Sequence, residues 1–479
     1  MNRWVLLCCL SMAFATQGQT LDGVWKQWEY ETELQSASWS FAMRDVESGE
    51  LVYQSYPDKC LPPASGIKAI TTLAALELLG PKYQWTTRVM YDGELLGDSV
   101  ITGNLYVTGG GDPTLGSSRV GKNVSFEDLF AAWANTLYDK GIRSIKGMVV
   151  GDASYFTEMS TPGSWNWDDI GQYYGAGSYG LNIYENSIIV YYSSTTGSTR
   201  IDSVYPPIEG MDFRNLVTVN GNSDNAYIYG APGQYMRYIA GTIPANRKAF
   251  KVDGSMPDPP QFAAEALLQA LKERGIAVEG AATTNTGLRD SWKNADRSLI
   301  LEHKSPALDS VVLHTNMKSI NLYAETLLKT LGKELKGVGS TEMGAEVVME
   351  WLRQQDINMN GLNLEDGSGL SRFNTISAAQ MTAILVLAQQ SPYADLFYSS
   401  LPTAGKSGTL KSIGGKTAAE GRVHAKSGSM QKIRSYSGYV EAKNGKQYAF
   451  SIIVNNYAAS SSVIKKKLEA LMVAMVNFQ

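Results

Sequence analysis

The sequence has 479 residues, which is more than a single hydrophobic core usually serves, so we expect two or three domains. Apolar residues make up 44% of the chain and charged residues 18%, a composition typical of a globular protein. A net charge of −4 gives no indication of binding to nucleic acid or to a membrane surface, and three cysteines with three histidines argue against a zinc cluster, so we expect no metal and no cofactor.

The N-terminus has the features of a secretory signal peptide. Residues 1–18 begin with one cationic side chain, Arg3, continue with an apolar run and end in small and polar residues. That run is too short to cross a membrane, and cleavage after either Ala15 or Gly18 fits the preference for small residues. Either cleavage leaves Cys60 as the only cysteine, so no internal disulfide can form. We therefore expect export to the periplasm and no membrane span.

A β-hairpin followed by a buried helix is predicted at the start of the mature chain. Residues 38–44 and 51–56 alternate between apolar and polar side chains on either side of a polar turn at 47–50. Two prolines follow, and proline is tolerated at a helix N-terminus because the N–H groups there have no intrahelical partner. The next residues are apolar on nearly all faces until Gly80 ends the run.

Ser65 and Lys68 lie in the first turn of this predicted helix. Residues three apart on a helix are surface neighbours, about 5–6 Å apart at Cβ, so the lysine can reach the serine hydroxyl. A serine becomes a nucleophile when a neighbouring base takes its proton, and lysine becomes such a base when burial lowers its pKa. The same spacing recurs at two places where no Pro-Pro pair precedes it: Ser429 with Lys432 and Ser462 with Lys465.

The composition changes between residues 82 and 290. Short alternating segments are separated by Gly, Asp, Ser and Pro turns, and helical patterns occur only at 126–138 and 260–274. The glycine-rich stretch at 109–114 lacks the lysine and the following helix of a phosphate loop, so we interpret it as a turn. We expect one or two β-rich modules here, inserted into a catalytic domain formed by residues 19–81 and 291–479.

The C-terminal part returns to an α/β pattern. It contains predicted helices at 319–332, 341–355, 377–390 and 462–478, and a hairpin at 434–455 around Asn444-Gly445. The N-terminal and C-terminal hairpins together predict one antiparallel sheet covered by helices, an α/β (α+β) fold, because chain ends commonly meet in a domain. Three consecutive domains would leave the N-terminal piece without enough core to be stable.

Ser319 and Asn321 form a candidate second motif. A serine hydroxyl can relay a proton, and an asparagine amide offers both a donor and an acceptor to Lys68 and to a substrate amide. An apolar helical pattern follows this pair directly. Two other copies of the S-x-N pattern lie in the insertion without such a helix, and we interpret them as turn residues: Ser223 with Asn225 and Ser164 with Asn166.

Residues 426–429 form a candidate third motif, just before the predicted C-terminal hairpin. We expect Lys426 and Ser427 to hold a substrate carboxylate, and Gly428 to allow a close approach of the backbone. The N–H groups of Ser429 and of the nucleophilic serine would face the oxyanion. A second Lys-Ser-Gly at Lys406 lies among small residues that do not predict a strand.

With these three motifs in this order, the chain resembles the low-molecular-mass class C penicillin-binding proteins, the D-alanyl-D-alanine carboxypeptidase/endopeptidase family. Further similar stretches lie at residues 103–115, 165–176, 321–325, 366–372 and 401–410. The resemblance implies a serine β-lactamase/DD-peptidase-like domain split by a large insertion. It also implies cleavage of D-Ala-D-Ala termini, of peptide cross-bridges, or of both, through an acyl-enzyme at Ser65, with peptidoglycan stem peptides and β-lactams as partners.

The chain departs from the family pattern at two places, of which we expect the first to alter substrate fit and the second to leave activity intact. Gly66-Ile67 replaces the Asn-Thr often found inside the first motif, and Lys-Ser-Gly replaces Lys-Thr-Gly, which keeps the hydroxyl. Two alternatives stay open: a β-lactamase or esterase on the same core, and a catalytically silent wall-binding protein. The sequence leaves the oligomeric state and the balance between carboxypeptidase and endopeptidase activity undecided.

Overall fold

The computed structural model describes residues 20–120, 124–288 and 295–479. The predicted signal segment, residues 1–18, lies outside this described part of the chain. Within these three ranges, no helix is both long enough and apolar enough to cross a membrane.

The chain can be followed in three parts. The first part contains helix α1 (Leu21–Tyr30), strands β1 (Ser38–Asp45) and β2 (Leu51–Ser55), a 3₁₀ turn (Ala64–Ile67) and helix α2 (Lys68–Leu79). The last part contains helices α6 (Leu308–Lys318), α7 (Asn321–Lys336), α8 (Thr341–Gln354), α9 (Ala378–Gln390), α10 (Ala394–Ser400) and α11 (Ser461–Val476), with strands β18 (Val423–Met430), β19 (Ile433–Glu441) and β20 (Gln447–Asn455).

Short strands dominate the middle part. They are β3 (Thr86–Tyr91), β4 (Leu95–Leu96), β5 (Val100–Ile101), β6 (Leu105–Thr108), β7 (Ser144–Ile145), β8 (Val149–Asp152), β9 (Ser187–Ser194), β10 (Thr199–Tyr205), β11 (Asp212–Val219), β12 (Tyr227–Tyr229), β13 (Met236–Ile243), β14 (Phe250–Ser255), β15 (Ala277–Val278), β16 (Ala282–Thr284) and β17 (Ser298–Lys304). The helices of this part are α3 (Phe126–Asp139), α4 (Trp167–Ile170) and α5 (Pro259–Arg274).

The two ends of the chain form one antiparallel sheet in the order β18-β19-β20-β1-β2. Strand β1 pairs with β20 along its whole length, from Ser38 opposite Asn455 to Asp45 opposite Tyr448. The predicted α/β class is confirmed. A hairpin alone is marginally stable in water, so the N-terminal hairpin gains its stability from pairing with the C-terminal strands.

Both faces of β20 are buried, which explains why its residues 448–454 are apolar apart from Ser451. Phe450, Ile452 and Val454 pack on one side with α1 and α11, while Ala449 and Ile453 pack on the other side with α2, α7 and α9. A strand covered on both faces carries apolar residues at successive positions. The sequence pattern alone does not indicate α1, whose buried residues include two tryptophans.

The expected helix at 319–332 is wrong at both ends. Ser319 has a left-handed backbone (φ 59°), so α7 begins at Asn321, and it continues through Gly332 to end at the left-handed Gly337. A Cβ on Gly332 would lie 2.8 Å from the Gly344 nitrogen. This glycine therefore serves the close packing of α8 on α7 and does not end the helix.

Among its described residues, the middle part of the chain contains four sheets. The largest is a five-stranded mixed sheet in the order β16-β8-β6-β3-β17, and a four-stranded sheet and two three-stranded sheets accompany it. Helices α3 and α5 pack against each other and contribute buried residues to the core shared by these sheets. Residues 100–108 alternate between apolar and polar side chains but form two strands, β5 and β6, which lie in different sheets. Strand β17 pairs with β3 up to Lys304, which lies beyond the expected boundary at residue 290.

Candidate active site

Ser65 lies in the 3₁₀ turn that leads directly into α2. The preceding residue, Ala64, has a left-handed backbone (φ 48°), a conformation that costs about 1–3 kcal/mol in a residue other than glycine and that clusters at functional sites. Lys68 follows one turn later and is fully buried, whereas Ser65 is half-buried. Lys68 Nζ lies 2.9 Å from Ser65 Oγ. This distance suits proton transfer between the two groups.

The Lys68 amine has two further contacts. It donates to Asn321 Oδ1 over 2.6 Å and to the Ser368 carbonyl over 2.5 Å. Together with Ser65 Oγ, these acceptors use the three donors of an ammonium group. The lysine nitrogen is therefore held in one position beside the nucleophile.

Burial lowers the pKa of Lys68 from its ordinary value to about 7, although the negative charges of Asp366 and Glu325 oppose this shift. Desolvation disfavours the charged form of a buried lysine. A lysine with this pKa is partly neutral at pH 7. It can therefore act as a base towards Ser65 without needing an alkaline environment.

The second motif lies where α6 meets α7. The left-handed Ser319 ends α6 and α7 begins two residues later, so the turn presents Ser319 and Asn321 to the same site. Besides accepting from Lys68, Asn321 donates through Nδ2 to the Tyr174 carbonyl over 2.7 Å. These two bonds fix the orientation of the amide, with its oxygen towards the lysine.

The third motif reaches the second through Lys426. This residue lies on β18, is fully buried, and donates to Ser319 Oγ over 2.9 Å and to the Ser427 carbonyl over 2.8 Å. Burial, with a smaller contribution from the charge of Lys68, lowers the pKa of Lys426 well below its ordinary value. The structure thus brings Ser65, Lys68, Ser319, Asn321 and Lys426 together in one connected cluster.

The remaining residues of the third motif differ in their surroundings. Ser427 Oγ donates to Thr409 Oγ1 over 2.7 Å, while Ser429 is exposed. A Cβ on Gly428 would lie 2.2 Å from the Pro63 carbonyl oxygen and 2.3 Å from Ser435 Oγ. The glycine therefore allows β18 to pack against the turn that carries Ser65, a close approach of the backbone of the kind expected at this position.

Two of the other motif copies lie outside this cluster. Ser223 and Asn225 are exposed in the middle part of the chain. Lys406 is more than half exposed and forms an ion pair with Glu420, with 2.6 Å between Nζ and Oε1. The Lys406 loop nevertheless contributes to the site, because it carries Thr409, the partner of Ser427.

Sequence reasoning missed the loop that carries Ser368. Asp366 organises this loop: its carboxylate accepts from the Gly369 and Ser371 nitrogens, the Asn374 amide and the Trp165 indole, over 2.6–2.8 Å. The signal was present in the Asp-Gly-Ser-Gly pattern at 366–369, because an aspartate before glycines is typical of a turn stabilised by its own side chain.

Glu325 is a second missed residue. It lies one helical turn after Asn321 on α7, is buried, and accepts from the Ser368 nitrogen over 2.7 Å. An acidic residue on the apolar face of a helix was the available signal. Throughout the three described ranges, no group of three or more His, Cys, Asp or Glu side chains is arranged to hold a metal ion.

The comparison with known families agrees with this geometry. Residues 24–477 match the D-Ala-D-Ala carboxypeptidase 3 (S13) family. The chain belongs to this family. The resemblance to class C penicillin-binding proteins is thereby confirmed, and this S13 chain is a serine peptidase of the D-Ala-D-Ala carboxypeptidase type that acts on peptidoglycan.

Individual relatives of this S13 chain match most of its length. It is 30% identical over 450 residues to the D-alanyl-D-alanine carboxypeptidase of Actinomadura sp. (strain R39), covering 90% of this chain and 80% of the relative. It is 23% identical over 441 residues to D-alanyl-D-alanine carboxypeptidase DacB of Haemophilus influenzae, covering 90% and 88%. Penicillin binding protein 4 (dacB) of Haemophilus influenzae has a similar structure, with a TM-score of 0.78, 21% identity, and coverage of 92% of this chain and 96% of that one.

Proposed function

We propose that this peptidase forms its acyl-enzyme at Ser65, with Lys68 as the base. The observation that carries the proposal is the position of the Lys68 amine, 2.9 Å from Ser65 Oγ and 2.6 Å from Asn321 Oδ1. A serine with a lysine of lowered pKa at this distance is an activated nucleophile. The substrates are peptidoglycan stem peptides that end in D-Ala-D-Ala, peptide cross-bridges, or both, and β-lactams are captured at the same serine.

Acylation begins with proton transfer. Neutral Lys68 takes the proton of the Ser65 hydroxyl, and the oxygen attacks the carbonyl carbon of the penultimate D-alanine. The carbonyl oxygen then carries the negative charge of a tetrahedral intermediate. We propose that the backbone N–H groups of Ser65 and Ser429 donate to this oxyanion, which is the role of an oxyanion hole in acyl transfer.

Collapse of the intermediate requires a proton for the leaving amine. The proton that Lys68 has taken reaches the nitrogen of the terminal D-alanine, directly or through the Ser319 hydroxyl, which lies 2.9 Å from Lys426 Nζ. The C–N bond breaks, D-alanine leaves, and the peptide stays on Ser65 as an ester. A water molecule then attacks the ester, returns the proton to Ser65 and releases the shortened peptide.

The terminal carboxylate of the substrate needs donors beside the scissile bond. The hydroxyls of Ser427 and Thr409 lie 2.7 Å apart, Ser427 is half-buried, and the Lys426 charge lies on the adjacent position of β18. Hydroxyl donors beside a cation bind a carboxylate by charge-assisted hydrogen bonds. We therefore assign substrate binding to residues 427–429, with Thr409 as an additional donor.

The predicted signal segment and the domain arrangement support activity outside the cytoplasm on a large substrate. We propose export through the signal at residues 1–18 to the periplasm, and a catalytic domain interrupted by one inserted part that ends near Lys304, where β17 leaves the β3 sheet. The inserted part contributes to the site through Tyr174, whose carbonyl accepts from Asn321. It therefore contacts the catalytic residues directly.

A labelled penicillin tests the proposal directly. After incubation, digestion and mass mapping, we expect one adduct on the peptide that contains Ser65, and none in the Ser65→Ala variant. Ser462→Ala, which removes the serine of another S-x-x-K copy, should be acylated normally. An adduct on Ser429 or Ser462, or release of D-alanine from a D-Ala-D-Ala peptide by Ser65→Ala, would contradict the assignment.

A further inference from the structure

A cluster of buried ionisable side chains lies behind the Ser65–Lys68 pair. Glu325 is 1% exposed, and Asp366, Lys329 and Lys68 are fully buried. Moving a charged side chain from water into the protein interior carries a large desolvation penalty. Hydrogen bonds and opposite charges must offset this penalty. So many ionisable groups at one place therefore require an explanation beyond packing.

Glu325 is linked to Lys68 through a single residue. Its Oε1 accepts from the Ser368 nitrogen over 2.7 Å, and the carbonyl of the same Ser368 accepts from Lys68 Nζ over 2.5 Å. The Glu325 carboxylate thus positions Ser368, whose carbonyl positions the Lys68 amine. Since Asn321, the other fixed acceptor of Lys68, lies one turn before Glu325 on α7, the helix places both supports together.

The charges around Glu325 come from three elements. Asp366, in the Ser368 loop, has the same sign; Lys68 on α2 and Lys329 on α7 have the opposite sign, and Glu342 on α8 acts on Lys329 from outside. Burial and, after it, the Asp366 charge raise the pKa of Glu325 to about 7. Lys68 also lies close enough to Lys426 for the charges of the two amines to repel each other.

We propose that Glu325 is a positioning residue for acylation: it fixes the Ser368 carbonyl against the Lys68 amine, and its charge sets the pH at which Lys68 can take the Ser65 proton. This inference rests on the proposed roles of Ser65 and Lys68. An ionised Glu325 stabilises the ammonium form of Lys68, and a neutral Glu325 releases the lysine to act as a base. No proton passes between Glu325 and the substrate.

The test is the pH profile of acylation in Glu325→Gln. Glutamine keeps an oxygen that can accept from the Ser368 nitrogen but removes the charge. We expect the acid limb of the penicillin acylation rate to move to lower pH by roughly 0.5–1 unit, because a nearby opposite charge no longer favours the ammonium form of Lys68. Glu342→Gln makes the same chemical change on α8, where the side chain is exposed, and should leave the limb in place.

A purely structural role gives a different result. If Glu325 only ties the loop, Glu325→Gln changes the plateau rate and leaves the acid limb at the wild-type pH, which overturns the proposal. Should Glu325→Gln fail to fold, Glu325→Ala keeps the test: it also removes the charge, so its acid limb must move to lower pH, and a limb at the wild-type pH would overturn the proposal. Mapping the penicillin adduct in each variant separates these outcomes from failure of the Ser65 assignment.

Discussion

The Lys426 amine donates a hydrogen bond to Ser319 Oγ over 2.9 Å, joining two residues that are 107 positions apart in the chain. Ser319 presents its hydroxyl there because its backbone is left-handed, between the end of α6 and the start of α7. The bond connects the second and third motifs, while the contact between Lys68 and Asn321 connects the first and second. Two lysines and two hydroxyls thus share one site, and each lysine has its own serine.

Acylation should depend on pH through Lys68. Burial lowers the pKa of this lysine to about 7, so the neutral, basic form grows as pH rises through 7 and is lost below it. We expect the acylation rate by penicillin to fall about tenfold per unit below pH 7. Stopped-flow acylation between pH 5 and 9 measures this, and a flat profile would contradict it. Lys68→Arg, which stays charged, should be slower than wild type by about 10²–10⁴ above pH 7.

The two Lys-Ser-Gly copies should respond differently to alanine. Lys426 is buried and holds Ser319, so Lys426→Ala removes a charged hydrogen bond of about 1.5–3 kcal/mol and should slow acylation roughly ten- to a hundredfold. Lys406 pairs with Glu420 at the surface, so Lys406→Ala should stay within a few-fold of wild type. Acylation of both variants by one penicillin decides the matter. Slow acylation of Lys406→Ala together with normal acylation of Lys426→Ala would show that we have assigned the third motif to the wrong copy.

Gly428→Ala should damage the site through packing. The new methyl would lie 2.2 Å from the Pro63 carbonyl oxygen, so β18 and the turn before Ser65 must move apart. Overpacking of this kind costs about 1–3 kcal/mol of unfolding free energy, and we expect acylation to be slower as well. Gly415→Ala is the matched control, since its methyl meets nothing closer than 3.8 Å. Denaturant unfolding and acylation rates measure both, and equal behaviour of the two variants would refute the packing argument.

Trp165→Phe should reveal the contribution of the middle part of the chain to the Ser368 loop. The indole nitrogen donates to Asp366 Oδ2 over 2.8 Å, and phenylalanine cannot replace this donor. Leaving a buried acceptor with one partner fewer costs about 1–3 kcal/mol, and the unfolding free energy should fall by that order. Trp167→Phe, at an exposed position two residues later, should stay within about 0.5 kcal/mol of wild type. A Trp165→Phe variant as stable as Trp167→Phe would show that the bond contributes nothing.

The sequence predicted the elements that depend on local chemistry. The Pro-Pro pair with an apolar helix singled out Ser65 and Lys68, and period-two alternation indicated the hairpins that join into one sheet. The sequence-based prediction was wrong where one residue type can serve two structural purposes. Gly332 was interpreted as a helix end because glycine commonly ends helices, but here it allows two helices to approach closely.

The amino-acid sequence by itself determined the fold class, because periodicity and turn residues act over a few neighbouring positions, and its three motifs in their order carried the resemblance to the family. Only the tertiary structure decided which groups surround Lys68: the Ser368 carbonyl and the charges of Glu325 and Asp366 arrive from segments about 250–300 residues away in the chain. A main-chain carbonyl has no sequence signature, and the pKa of a lysine depends on burial and on charges in space. The reactivity of Ser65 is therefore a property of the packed site.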